Sequence, residues 1–431
     1  MIVNGTIAKS PNVIVDYFHN PINPPGIVAI TFTPSGNKSL EGLGFGGKFL
    51  LDNKIDLISV KCNNDNWFQS IPEESFALIN KIIELKGYKT TVAYGSSMGG
   101  YAAIQFSKKF NCDIVVALSP QYTILEEFDK RWESHSKKID WKYDITSDNL
   151  SDDCKYVVFY DTYDLDKEHA DRLKMLFGGD NFMGVAIPFG GHPVSNYLHE
   201  SGILKELVLR IFRKQDFGEI SLRRNKSRSK SYLKNLSTHL HKKNKLSLSL
   251  AIINKAIDLD ADAPTYFVHK STLLESMGRM SESIEALARA AELDSNPLIN
   301  LRISKLLVGE KRFSEALQYI ESGVKSSGDM AALHRQKSEI LVGLEEIDAA
   351  IESASTASAL DSKNPFYRIH LSNLYSKQGK FAEALVQINE GLVHSPNVAA
   401  LYRNKVELLK RVGDAEAANL LLRTPEYAAA K

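Results

Sequence analysis

From about Lys230 onward the chain repeats itself, and no other feature narrows its possible folds as much. Leu246, Met280, Phe313, Ile347, Phe381 and Ala415 follow one another at spacings of 34, 33, 34, 34 and 34 residues. Three residues beyond each stands a small side chain: Ser249, Ser283, Ala316, Ala350, Ala384 and Ala418. Ten residues beyond the first five stand Ala256, Ala290, Gly323, Ala357 and Gly391, again all small. Two residues before each lies a turn position, held by Asn244, Gly278, Lys311, Glu345, Gly379 and Gly413. Gly and Asn dominate there, as a left-handed helix end prefers. A repeat of this length predicts helix pairs that stack to bury a continuous apolar core. Small residues on two faces of the second helix allow it to approach its own partner and the next repeat closely.

This pattern resembles the tetratricopeptide repeat (TPR). Its best unit, Pro365–Asn397, has Leu371, Tyr375, Gly379, Phe381, Ala384, Ile388, Gly391 and Pro396 on the family's positions. Two departures stand out. The first helices often lack the small residue that follows the family's Leu, and Ala415 replaces an aromatic. The resemblance implies an all-α TPR solenoid over 230–431, with about six repeats starting near 230, 264, 297, 331, 365 and 399. In this family the concave groove usually takes a protein or peptide partner, and pairing into a homo-oligomer is the alternative.

Residues 1–218 read differently. Short β-rich runs at Gly26–Thr33, Ile55–Lys61, Thr90–Tyr94, Asp113–Leu118, Lys155–Tyr160 and Phe182–Ile187 alternate with helix-like segments at Glu73–Leu85, Met98–Phe110, Lys167–Phe177 and Val194–Arg213. Nearly continuous Val/Ile/Ala/Phe runs suit strands covered on both faces, so a doubly wound α/β domain is expected. Ile2–Ala8 and Val13–Phe18 would form a hairpin at one edge. A connector at 219–229 separates the two parts. Each part is expected to hold its own core, so that a cut after about Gly218 leaves the first domain intact.

Composition excludes several classes. With 43% hydrophobic and 24% charged residues, the chain is neither disordered nor fibrous. No run approaches the ~18 apolar residues of a membrane span. Asn4, Gly5, Lys9, Ser10 and Pro11 interrupt the apolar start, which argues against a signal peptide. Cys62, Cys112 and Cys154 are too few and scattered for a disulfide framework or a zinc site, and read as buried reduced thiols; no metal is expected. A cytoplasmic location is the corresponding expectation. Between Leu222 and Lys245 the chain carries nine Lys and Arg and no acid. Such a block suits a polyanion or membrane surface, but a solvated connector is the more ordinary reading. No nucleic-acid motif or aromatic stacking pattern accompanies it, so nucleic acid is not an expected partner.

Chemistry concentrates at the end of the Thr90–Tyr94 run, where Gly95, Ser97 and Gly99 make G-x-S-x-G. A serine on a sharp strand-to-helix turn is held in a strained conformation that projects its hydroxyl, and flanking glycines let strand and helix close up. The N-terminus of the following helix favours developing negative charge.

The stretch GSSMGGYAA resembles the nucleophile elbow of the α/β-hydrolase family, whose triad runs Ser, then Asp or Glu, then His. That resemblance implies Ser97 as nucleophile. The acid should follow Lys155–Tyr160, where Asp161, Asp164 and Asp166 compete; Asp164 has the favoured offset. The base should lie after the last strand, in Pro188–Pro193, which points to His192 over the helical His169 and His199. The backbone N–H of Met98 is the expected oxyanion donor, joined by Thr33 or Ser35, with Thr33 preferred because Pro34 has no N–H. Trp67 either lines the substrate pocket or packs as an ordinary aromatic. Gln121–Leu150 leaves room for a small lid, and its mixed aromatic and polar residues suit a carbohydrate-like or polar acyl substrate.

The implied activity is serine-nucleophile acyl transfer, most simply hydrolysis of a carboxylic ester, with the repeats serving recruitment or assembly. No cofactor is expected. The alternative is an O-acetyltransferase that passes an acyl group from a thioester such as acetyl-CoA to a sugar hydroxyl. A third reading makes the protein a TPR scaffold with a relic hydrolase fold.

Overall fold

The computed structural model describes residues 3–19, 21, 26–177, 180–424 and 426–427; Ile2, where the first expected strand begins, lies outside them. The chain divides into two compact units, Met1–Leu259 and Asp260–Lys431.

In the first unit the chain runs through β1 (Val3–Lys9), β2 (Val13–His19), β3 (Ile27–Phe32), α1 (Gly47–Asp52), β4 (Asp56–Cys62), α2 (Glu74–Lys86), β5 (Thr90–Ser96), α3 (Met98–Gln105) and β6 (Ile114–Leu118). Beyond β6 come a short α4 (Glu133–Ser136), β7 (Lys155–Tyr160), α5 (Asp166–Phe177), β8 (Phe182–Ala186), α6 (Ser195–Glu200) and α7 (Leu204–Phe212). The eight strands form one sheet in the order β1-β2-β4-β3-β5-β6-β7-β8. β1 and β2 pair antiparallel at the edge, β2 runs antiparallel to β4, and the remaining pairs are parallel. The apolar strands are buried on both faces. Ala93, Val115 and Val158 join one core with Tyr101 and Phe106 of the α3 region, while Val92, Tyr94, Val116 and Val157 join another with Leu207 and Phe212 of α7. This period-two division is why the strands read as unbroken apolar runs.

The helix expected over Val194–Arg213 is two helices, because the chain turns at Gly202 with φ +75°. All three cysteines are buried and free. Burial pushes the Cys62 thiol up to about 11 and that of Cys154 to about 12, so both stay protonated.

The first helix pair, α8 (Lys230–Lys242) and α9 (Leu246–Leu259), belongs to the unit that holds the sheet. The compact unit that holds the sheet therefore runs past the connector expected at 219–229, as far as Leu259. Glu200 explains part of this: its carboxylate accepts from Ser229 Oγ at 2.6 Å, Ser231 N at 3.0 Å and Ser231 Oγ at 2.9 Å, which ties the start of α8 to α6.

The second unit is a helical solenoid of pairs such as α10 (Pro264–Ser276) with α11 (Met280–Leu293), and, further on, Pro365–Lys377 with Phe381–His394. The sequence columns have simple structural meanings. Leu246, Met280, Phe313, Ile347, Phe381 and Ala415 each open the second helix of a pair. The small residues three positions on are fully buried. All six turn residues adopt positive φ, including Lys311 (60°) and Glu345 (66°). A Cβ on Gly391 would lie 2.7 Å from Leu401 Cδ2, which accounts for the small residue in that column. Among the described residues no helix is long and apolar enough to cross a membrane.

Candidate active site

β5 ends in the interior of the sheet, between β3 and β6, and the chain then turns sharply into α3. Ser97 occupies the turn at φ 53° and ψ −120°, a conformation that L side chains avoid. Its N–H donates to Leu118 O at 2.8 Å, which holds the turn against β6. The two flanking glycines are required by space: a Cβ on Gly95 would lie 2.1 Å from Gly99 O, and one on Gly99 would lie 2.4 Å from Phe32 O.

Ser97 Oγ lies 2.9 Å from His192 Nε2, and His192 Nδ1 lies 2.8 Å from Asp166 Oδ1. A carboxylate only accepts, so His192 donates through Nδ1 and leaves Nε2 to accept the Ser97 hydroxyl proton. Burial raises the Asp166 carboxyl, but the hydrogen bond and charge of His192, helped by Ser119 and Arg131, outweigh it and hold the group below the usual carboxylate range. Ser96 points elsewhere, with its Oγ 3.2 Å from Ser195 Oγ.

The three aspartates after β7 divide three tasks, and the expected one is not the partner of His192. Asp164 is held away by Arg131, whose Nη1 donates to its Oδ1 at 2.7 Å. Asp166, two residues on at the first turn of α5, is buried and reaches the imidazole. Asp161 is also buried but braces the histidine loop: its Oδ1 accepts from Phe189 N at 3.0 Å and its Oδ2 from Gly191 N at 2.7 Å. The far end of that loop is fixed by Val194 N donating to Ser119 Oγ at 2.9 Å. The rival histidines are engaged otherwise. His169 Nδ1 accepts from Tyr122 N at 3.0 Å, so its Nε2 donates to Asp129 Oδ2 at 3.0 Å, and His199 is exposed on α6. Arg131 clamps Asp129 through Nε at 2.8 Å and Nη2 at 2.7 Å while also reaching Asp166 at 3.3 Å. The Gln121–Leu150 segment is thereby anchored to the loop after β7.

Ser97 is only 3% exposed. Gln121 and Trp67, both fully buried, stand over it: Gln121 Nε2 donates to Ser97 Oγ at 3.1 Å and Trp67 Nε1 donates to Gln121 Oε1 at 3.3 Å. Trp132 of the Gln121–Leu150 segment packs edge-on against Trp67 at 5.4 Å and lies 5.8 Å from the His192 ring. Trp67 thus belongs to the roof of the site. Sequence reading overlooked Gln121, although a polar residue directly after the Ser119-Pro120 end of an apolar strand, on the edge where Ser97 lies, was an available signal.

Met98 opens α3 beside Ser97 and is fully buried. Thr33 does not supply the second donor, because its N–H extends the β3–β4 ladder to Val60 O at 3.3 Å. Its Oγ1 accepts from Cys62 N at 3.0 Å, which fastens the same strand end. Gly36 N donates to Asp65 Oδ1 at 2.7 Å. Ser35 is the remaining N–H of the two considered in that loop.

Within this unit α8 packs on the loops that carry Asp166 and His192. Tyr163 stacks on Phe189 at 4.3 Å, and His239 meets both rings edge-on at 4.7 and 5.3 Å. Asn235 Nδ2 donates to Phe189 O at 3.4 Å.

Comparison with known proteins addresses the helical region. A tetratricopeptide-repeat family model matches residues 264–297. The C-terminal region carries a tetratricopeptide repeat. No curated protein matches the chain at a significant level. Similar solved structures include MamA from Desulfovibrio magneticus RS-1, at 16% identity over 39% of this chain and 95% of that one, with a TM-score of 0.35. PilF of Pseudomonas aeruginosa is 14% identical over 47% of this chain and 96% of its own, with a TM-score of 0.37. A thermophilic TPR protein of Thermus thermophilus is 20% identical over 42% and 99%, with a TM-score of 0.32.

Proposed function

We propose that the first unit is a serine acyl-transfer enzyme of the α/β-hydrolase kind, acting most directly on carboxylic esters, and that the repeats recruit a protein or peptide partner. The observation that carries this reading is the hydrogen-bonded series from Asp166 through His192 to Ser97, with the serine on a strained turn at the end of a buried strand. In the proposed reaction His192 Nε2 takes the Ser97 proton as Oγ attacks the acyl carbonyl, and Asp166 holds the imidazole and stabilises its charged form. The Met98 N–H would meet the oxyanion, with Ser35 in the place first given to Thr33. Strand, turn and helix around G-x-S-x-G supply the context this motif needs.

Transfer to a sugar hydroxyl from a thioester such as acetyl-CoA is the second reading, favoured by one observation. Ser97 is only 3% exposed, beneath Trp67 and Trp132, and a shielded acyl-serine would favour a bound acceptor over bulk water. A fluorophosphonate probe should label the protein, and Ser97→Ala or His192→Ala should each abolish labelling with the fold intact. Release of acid from simple esters, measured with and without acetyl-CoA and a sugar acceptor, separates hydrolysis from transfer. A wild-type protein that the probe leaves untouched would overturn the enzymatic reading and leave the repeats as the working part.

A further inference from the structure

Gln121 lies over Ser97 and His192, and its neighbours fix which way its amide faces. Indole Nε1 is only a donor, so Trp67 must meet the carbonyl oxygen of Gln121, at 3.3 Å. The amide NH2 is therefore turned toward the nucleophile, 3.1 Å from Ser97 Oγ and 3.5 Å from His192 Nε2. Both side chains that set this arrangement are fully buried.

An acyl group on Ser97 is released when an acceptor oxygen attacks its carbonyl carbon. The new C–O bond forms, the ester bond to Ser97 Oγ breaks, and the acceptor proton passes to His192 Nε2 and then to Ser97 Oγ. That oxygen must lie within hydrogen-bond reach of Nε2 and close to the carbon bonded to Oγ. A donor 3.1 Å from one of these atoms and 3.5 Å from the other is within reach of the same point. Building on the acyl-transfer reading above, we infer that Gln121, aimed by Trp67, holds the acceptor oxygen, water or an alcohol hydroxyl, during deacylation. A polar donor suits an acceptor with a free lone pair. An apolar wall at this point would leave the incoming oxygen unpaired in a closed site.

The test separates the two half-reactions with p-nitrophenyl acetate. Its leaving group departs as a stable phenolate and acylation involves no acceptor oxygen, so Gln121 should bear on that step only through its hydrogen bond to Ser97 Oγ. In Gln121→Met steady-state turnover should fall about tenfold or more beyond any change in the rate of first-turnover p-nitrophenolate release. Intact-mass spectrometry of quenched turnover should then find Ser97 acetylated. Trp67→Phe, which loses only the aiming N–H, should slow the same step by about threefold, and it decides the matter if Gln121→Met fails to fold. Thermal melts of both variants are recorded beside the kinetics. Unchanged steady-state turnover in Gln121→Met would overturn the inference, as would acylation and steady state falling in equal proportion. A wild type that neither takes up the phosphonate nor releases p-nitrophenolate would instead overturn the acyl-transfer reading itself.

Discussion

Asp164 and Asp166 differ by two positions in the chain and by a large step in environment. Asp164 is 36% exposed at its side chain and paired to Arg131, whereas Asp166 is 1% exposed and bonded to His192. Asp166→Asn should therefore cost about 10³–10⁴-fold in ester turnover by leaving the imidazole in the wrong tautomer. Asp164→Asn should retain most of the activity, and equal losses in the two variants would contradict the assignment. The contrast also marks where sequence reading stops. G-x-S-x-G and the histidine between a late strand and the last helices were legible because each is tied to a local backbone form. Which of three aspartates meets the histidine depends on how the turn after β7 closes against Arg131 and the His192 loop, and spacing carries no record of that contact.

At the scale of single elements, the turns between paired helices hold stored strain. A non-glycine residue in the left-handed region costs roughly 1–2 kcal/mol, against which glycine gives back roughly 0.5–1 kcal/mol of chain entropy. Lys311→Gly and Glu345→Gly, both at positive φ, should each stabilise the second unit by roughly 0.5–1 kcal/mol. Denaturant midpoints would check this, and a fall in either midpoint would contradict it. The Pro365–Lys377 helix contributes a pH dependence. His370 is partly buried beside Ser338, whose Oγ lies 2.8 Å from its Nε2. Burial, with smaller contributions from Arg335 and Lys377, pushes its pKa down to about 3. The unfolded chain binds this proton near pH 6.5 and the folded one only near 3, so the contribution is complete above about 6.5. It should be lost as pH falls between those values. A melting series from about pH 7 to about pH 4 should decline less in His370→Gln than in wild type. Parallel declines would assign the effect to other groups.

Across the whole molecule, the first repeat has a place that its sequence does not disclose. Its helix α8 belongs to the sheet-bearing unit and touches the loops that carry Asp166 and His192 through Asn235 and His239. A chain cut after Gly218 should thus react with the phosphonate probe more slowly than one cut after Leu259, which should match the full chain. Equal rates in both would mean that α8 is not needed to set the loops. The amino-acid sequence by itself determined the helical repeat, the buried parallel strands and the serine turn, because periodicity, apolar runs and small residues act through neighbours close along the chain. Only the tertiary structure decided the choice of Asp166, the loss of Thr33's N–H to Val60, the place of Gln121 above Ser97 and the division at Leu259. Each of these depends on groups distant in sequence meeting at a few ångströms, and such meetings follow from packing and not from local pattern.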